Sequence, residues 1–211
     1  MLSWVEGVMN SLGYTGVVFL MFIENVFPPI PSEVVMPLAG YTAARGDLSF
    51  VGVVLAGMVG SVVGALPLYY LGYAVGEERL ATWADKHGKW LTLSGDDVRK
   101  SGSWFAKYQG AAVFFARLVP GVRSLISIPA GVAKMNLFVF LAYTAVGTGL
   151  WALLLAFLGQ VLGQNYEQVN VYLGPISKIV VAGVIAWALG WVLKRKFGLE
   201  LSSFLRLGRD S

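Results

Sequence analysis

Glu24, Glu33, Arg117 and Arg123 are the residues of this sequence best placed to do chemistry, because each interrupts an otherwise apolar stretch. The two acids fall in one proline-broken segment and the two bases in another. A charge at the centre of a bilayer costs about 2.5–3.5 kcal/mol on insertion scales, so intramembrane charges are rare and functional by default. Two acids opposite two bases predict a polar site inside a membrane, assembled where two bent segments meet. A guanidinium grips phosphate bidentately and keeps its charge when desolvated. Helix N-termini add free amides and a partial positive charge. Ser32 is the expected N-cap ahead of Glu33, and Gly121 or Ser124 that of the second segment, with Arg123 in its first turn. Arg117, Arg123, Ser124 and Gly121 are therefore the candidate phosphate-binding residues.

Glu24 and Glu33 are expected to pair with Arg117 and Arg123 when the site is empty, which offsets most of the penalty of four buried charges. A phosphate would displace them, and carboxylates left unpaired in low dielectric take up protons. Substrate movement would then be linked to proton movement. The competing reading is a structural clasp that only locks the segments together. Asn25 either lines the site or satisfies backbone carbonyls freed by the break. Pro28, Pro29, Pro31 and Pro120 shape the turns.

These residues require a membrane to position them. Of the 211 residues, 56% are hydrophobic and 13% charged, and mean hydropathy is +0.67. Soluble domains average about 25% charged residues, so the chain reads as an all-α integral membrane protein forming one domain. With no cysteine and a single histidine, His87, neither a metal site nor a thiolate nucleophile is expected, and no cofactor is implied. The N-terminus lacks the basic and cleavable features of a secretory signal peptide.

Residues 2–13 carry Leu2, Val5, Val8, Met9 and Leu12 at helical spacing, which suits an interfacial helix. Repeat 1 covers about residues 15–76: two half-helices joined by a turn around 25–32, then an uncharged span over 48–76, with Pro67 a potential kink. Gly57, Gly60 and Gly64 allow close packing on one face of that span. Residues 77–108 form an amphipathic interfacial segment of two short helices, the second opened by a capping box at Ser94 and Asp97. Repeat 2 covers about 110–163, with a break at Pro120-Gly121 and a span over 135–163; a C-terminal span covers about 176–193. Trp4, Trp83, Trp90 and Trp104 read as interface anchors.

The halves share an order of charge, break, charge, proline-alanine-glycine and span. Pro37-Leu38-Ala39-Gly40 and Leu71-Gly72 in the first match Pro129-Ala130-Gly131 and Leu158-Gly159 in the second. Paired broken segments of this kind point to a transporter site at the midplane. Each re-entrant hairpin enters and leaves on one side before its span crosses, so the repeats are inverted. The 77–108 segment and the C-terminus then share a side rich in lysine and arginine, against Arg45 and Lys178 on the other. The positive-inside rule places the basic side in the cytoplasm.

The motifs E-N-V-F-P-P-I-P-S-E (24–33) with P-L-A-G (37–40), and F-A-R-L-V-P-G-V-R (115–123) with P-A-G (129–131), resemble the DedA family of bacterial inner-membrane proteins, in the wider VTT group. The resemblance covers about residues 10–195. It implies movement of lipids across the cytoplasmic membrane, undecaprenyl phosphate in some members and phosphatidylethanolamine in others, with dependence on the proton-motive force. The family's acidic pair falls on Glu24 and Glu33, and its arginine pair on Arg117 and Arg123. The expected activity is thus a flippase for a phosphate-bearing lipid, foremost undecaprenyl phosphate, with protons as partner, no nucleic acid and an oligomer left open. A phosphatidylethanolamine flippase or scramblase is the near alternative. A proton-coupled small-cation or drug exporter would leave the arginines unexplained. A lipid phosphatase would want a nucleophile or metal, so the chain is not expected to be an enzyme. A non-transporting assembly factor is a further alternative.

Overall fold

Prolines and a few glycines decide where the helices of this chain begin and end. The computed structural model describes residues 2–26, 32–87, 94–120 and 122–165, with isolated positions between 171 and 186. The described residues form an all-helical structure: α1 Leu2–Leu12, α2 Tyr14–Val26, α3 Ser32–Ala44, α4 Phe50–His87, α5 Gly95–Arg117, α6 Ser127–Val132 and α7 Leu137–Leu162, followed by a 3₁₀ turn at Gly163–Asn165. Pro28, Pro29, Pro31 and Gly121 lie outside the described residues, as do Trp90 and the expected C-terminal span as a whole.

Helices α4 and α7 are long and apolar enough to cross a membrane. Mean hydropathy reaches 2.1 within Phe50–Lys86 and 1.9 within Leu137–Leu162. They run antiparallel, since Gly57 faces Ala152, Met58 faces Gly149 and the Tyr69 ring stacks on Phe140. Their outer faces carry exposed Val51, Leu55, Tyr70, Phe138, Val146 and Phe157. Apolar faces of this extent suit lipid contact. The departure from helical geometry in α4 lies at Gly76 (φ 68°, ψ 164°), not at the expected Pro67. Only glycine takes that backbone readily, and Gly76 is the residue where the uncharged run gives way to Glu77-Glu78-Arg79.

Each span carries a helix parallel to it. Val18 and Phe22 of α2 lie on Gly60 and Gly64 of α4, as Phe114 and Arg117 of α5 lie on Gly147 of α7. The shorter helices cross to the other span. Gly40 of α3 lies on the Ala156 carbonyl and Gly159 of α7 on the Pro37 carbonyl. In the same way Gly131 of α6 lies on the Tyr69 carbonyl and Gly72 of α4 on the Ile128 carbonyl. A Cβ at any of these four glycines would overlap backbone, so the proline-alanine-glycine motif of each half fits the leucine-glycine motif of the other. Two cores result. Leu20, Met36, Val53 and Leu155 belong to one, and Tyr69, Phe105, Val113 and Phe140 to the other.

Two boundaries differ from expectation. The segment around 95–108 and the first limb of the second broken segment are one continuous α5, so the boundary near 110 falls inside a helix. Gly102 and Gly110 do not interrupt it: the Glu77 carboxylate occupies the space over the first and the Tyr143 ring that over the second. The capping box forms as expected, with Ser94 Oγ accepting from the Asp97 amide and the Asp97 carboxylate from the Ser94 amide. Of the expected interface anchors, Trp4, Trp83 and Trp104 are exposed. Helix α1 buries Val5 and Met9 against the first core.

The second limb is shorter than expected. Residues 122–126 are turns and α6 spans six residues. Pro129 has no amide for the Leu125 carbonyl, which accepts instead from Ile128 at 3.1 Å. Arg123 therefore sits in the turns ahead of α6 rather than in a first helical turn. The N-cap is Ile126, without a side-chain bond, so Ser124 does not cap this helix.

A buried charge cluster as candidate binding site

The break after α2 and the turns after α5 bring the expected charges to one place. Glu24 and Asn25 end α2, Ser32 and Glu33 open α3, Arg117 ends α5, and Arg123, Ser124 and Ser127 follow Pro120. All are buried, Glu24 to 4%, Arg123 to 4%, Glu33 to 6% and Arg117 to 0% exposure. Their depth follows from glycine contacts. Asn25 Cβ lies against Gly64, near the middle of the uncharged run 48–76, and Arg117 Cβ against Gly147, near the middle of 135–163.

Arg123 Nη2 forms an ion pair with Glu24 Oε1. The other carboxylate oxygen, Glu24 Oε2, is buried without a hydrogen-bond partner among the described residues. Arg117 is held differently. Its Nη1 donates to the Arg123 carbonyl at 2.6 Å and to Asn25 Oδ1 at 3.3 Å, and its Nη2 to Ser127 Oγ at 2.8 Å. Its guanidinium carbon lies 5.7 Å from the centre of the Phe140 ring, within cation–π range. Arg117 Nε has no hydrogen-bond partner among the described residues. Within 4 Å, neither Arg117 nor Glu33 has an ion pair among the described residues, so the expected two-by-two pairing is present at Glu24–Arg123 alone.

Asn25 is buried among the charges, and the carbonyl its side chain bonds is inside α2 rather than one freed by the break. Its Nδ2 donates to the Met21 carbonyl at 3.0 Å, while its Oδ1 accepts from Arg117 and, at 3.5 Å, from Ser124 Oγ. Ser32 is the first residue of α3. Its hydroxyl accepts from Trp151 Nε1 at 3.3 Å and lies 3.4 Å from Glu33 Oε2. Pro120 is buried in the turn that follows α5.

Sequence reasoning missed three contributors. Ser127, Phe140 and Trp151 touch the charged or polar residues of the cluster, yet each sits in an apolar or small-residue stretch like many others. Only the isolated indole in the middle of the 135–163 run could have drawn attention, since a buried tryptophan needs an acceptor for its N–H.

Chemically, the cluster offers one arginine fixed by three acceptors and one held by a single carboxylate. It also offers a second carboxylate outside any ion pair within reach of the described residues. An oxyanion reaching Arg123 would compete with Glu24 for the same donors.

Residues 30–161 match the VTT domain. The chain is 45% identical over 195 residues to an alkaline phosphatase-like protein of Lactococcus lactis subsp. cremoris, covering 90% of this chain and 91% of the relative. It is 35% identical to undecaprenyl phosphate transporter A of Staphylococcus aureus, over 89% of this chain and 95% of that protein. With the protein DedA of Escherichia coli the identity is 28%, over 80% and 78% of the two chains. No solved structure matches the chain.

Proposed function

Since this chain belongs to the VTT-domain family, the DedA family of membrane proteins, we propose that its buried cluster receives the phosphate headgroup of a membrane lipid and carries it across the bilayer. The observation that carries this reading is the Glu24–Arg123 ion pair at mid-span depth beside an Arg117 already fixed by neutral acceptors. A lipid phosphate replaces Glu24 on Arg123 and adds to Arg117 through its Nε, which bonds nothing among the described residues. Arginine suits this exchange because its fork matches two phosphate oxygens at once. The released Glu24, no longer paired with a cation, takes up a proton in the low-dielectric interior. Lipid movement in one direction is thereby linked to proton movement.

Several contacts support two re-entrant hairpins in inverted repeats. The Tyr14 hydroxyl at the start of α2 accepts from the Ser49 amide just ahead of α4 at 2.7 Å, so the first broken segment begins and ends at one end of the span. At the opposite end, the Tyr69 hydroxyl donates to the Met135 carbonyl at the start of α7. Lys134 lies beside Gly76 there, which puts 77–87 and Lys134 on the same side. By the positive-inside rule we assign that side to the cytoplasm, in the inner membrane that the DedA resemblance implies.

Undecaprenyl phosphate is the foremost substrate. Its monoester phosphate is dianionic, which two arginines match, and the staphylococcal relative bears that transporter's name. Phosphatidylethanolamine is the second reading, favoured by Glu33, whose carboxylate outside any described ion pair could hold an ammonium. Phosphatase activity, suggested by the name of the lactococcal relative, would need a nucleophile. The chain has no cysteine, and its one histidine, His87, is the last residue of α4, beyond the Gly76 break. Headgroup flipping in proteoliposomes tests the reading, with both lipids offered to the native chain and to Arg123→Ala. Faster flipping of undecaprenyl phosphate by the native chain, lost in the variant, is expected. Equal flipping by both chains, or release of inorganic phosphate, would refute it.

A further inference from the structure

A hydroxyl inside a helix ordinarily turns back to the carbonyl four residues earlier. Thr42, Thr82, Ser103 and Thr148 each do so, at 2.7–3.0 Å. Thr144 does not, although it is fully buried on α7. Its Oγ1 has no hydrogen-bond partner among the described residues. A buried hydroxyl left unpaired lowers stability, so its presence in a span calls for a reason.

The packing of α5 on α7 shows what lies beside Thr144. Arg117 Cβ is against Gly147, and the Arg117 guanidinium carbon is 5.7 Å from the centre of the Phe140 ring. Phe140, Thr144 and Gly147 share one face of α7, with Thr144 in the turn between the other two. The Arg117 side chain therefore runs along the turn that carries Thr144. Arg117 Nη1 and Nη2 already bond the Arg123 carbonyl, Asn25 and Ser127. Its Nε bonds nothing among the described residues, and neither does Thr144 Oγ1. Two neighbouring side chains of the cluster thus each carry one buried polar atom without a described partner. Ser61 Oγ is in the same state, but Gly60 and Gly64 beside it meet Met21 and Asn25 of α2, so nothing sets it against an arginine.

The chemistry of the two atoms narrows what reaches them. Arg117 Nε carries a proton and only donates, whereas a hydroxyl donates or accepts. A ligand that satisfies Nε must bring an acceptor, and that acceptor also takes the Thr144 proton. We propose that Thr144 is a binding residue for the lipid phosphate, its hydroxyl donating to the oxygen that also accepts from Arg117 Nε. This rests on the reading of the cluster as a headgroup site, and it adds a neutral donor on α7 to the two arginines. The rival is a water that bridges the same two atoms in the resting fold.

The test compares the full-length native protein with Thr144→Val, Thr144→Ser, Thr148→Val and Arg123→Ala in one detergent. Thermal unfolding is followed with undecaprenyl phosphate or undecaprenol as probe. Valine keeps the shape of threonine without the hydroxyl. Lipid-free Thr144→Val should melt no lower than the native chain, because it removes an unpaired buried group. Its half-saturating concentration of undecaprenyl phosphate should rise about tenfold, the effect of one hydrogen bond to a charged group. Thr144→Ser restores the hydroxyl and should bind close to the native chain. Thr148→Val should also bind as the native chain does, since the Thr148 hydroxyl already bonds the Thr144 carbonyl. Undecaprenol should not distinguish Thr144→Val from the native chain. Native-like binding by Thr144→Val alongside loss in Arg123→Ala would overturn the inference and leave the headgroup reading standing. A lower melting point of lipid-free Thr144→Val with an unchanged response to lipid would assign the hydroxyl to a structural water and also overturn it. Equal weakening in Thr148→Val would show disturbed packing of α7 rather than a lost ligand. If the native chain does not prefer undecaprenyl phosphate to undecaprenol, the headgroup reading fails and the inference with it.

Discussion

The Glu24–Arg123 pair can be dissected by a double-mutant cycle. Both side chains are almost fully buried, and Glu24 Oε2 already lacks a hydrogen-bond partner among the described residues. Replacing Arg123 by Gln leaves a buried carboxylate with neither oxygen paired to a cation. Replacing Glu24 by Gln leaves a buried guanidinium without its counter-charge. Removing one member of a buried pair destabilises by about 3–5 kcal/mol, whereas removing both leaves no isolated charge. For a chain of this size that corresponds to a fall in melting temperature of about 6–20 °C for either single variant. The double variant should melt well above the sum of the two losses, with a coupling of about 2 kcal/mol or more. Thermal unfolding of the four proteins in one detergent supplies the cycle. Additive losses would show that the two side chains do not sense each other, and the cluster as described would be wrong. The charge exchange Glu24→Arg with Arg123→Glu adds a functional arm. A mere clasp would keep transport, whereas a phosphate site would lose it even where the fold survives.

Substituting Val for Gly40 or Gly159 places a side chain into the backbone of the facing helix, so each should destabilise by about 1–3 kcal/mol in thermal unfolding. Gly149→Ala meets only the flexible Met58 side chain at 3.3 Å and should change melting little by the same assay. Trp151→Phe removes the donor to Ser32 and should lower stability by about 1 kcal/mol. Its transport should fall more than that of Trp104→Phe, an exposed position. Ser94→Ala removes the capping box and should raise hydrogen exchange in the first turn of α5, with a loss of about 1 kcal/mol.

Much of this arrangement was legible in the residues because membranes punish exceptions. Four charges in apolar runs and the prolines around them mark α2, α3 and the segment near Pro120 without any structure. The uncharged runs mark α4 and α7. Continuity of α5 through residue 110 was not legible, because Gly102 and Gly110 look like breakers until the Glu77 and Tyr143 side chains that fill the space above them are known. The length of α6 depended on where the Leu125 carbonyl finds a donor once Pro129 has none. The unequal roles of the two arginines also needed coordinates. Sequence offers two acids and two bases, and only packing decides that Arg117 turns to Ser127 and the Arg123 carbonyl while Arg123 keeps Glu24. The complementary glycines illustrate the same limit: the motifs are readable in each half, but their fit to the opposite half is a three-dimensional fact.

The central claim is that a lipid phosphate reaches Arg123 in the interior of the bilayer. Solid-state NMR in membranes tests it most directly, through dipolar coupling between the phosphorus of undecaprenyl phosphate and the guanidinium nitrogens of a ¹⁵N-arginine-labelled chain, assigned by comparison with Arg123→Lys. Coupling to the Arg123 nitrogens that vanishes in the variant is the predicted result. Phosphorus coupling confined to Arg79 and Arg99 at the membrane surface, with Arg123 still carrying only Glu24, would contradict it.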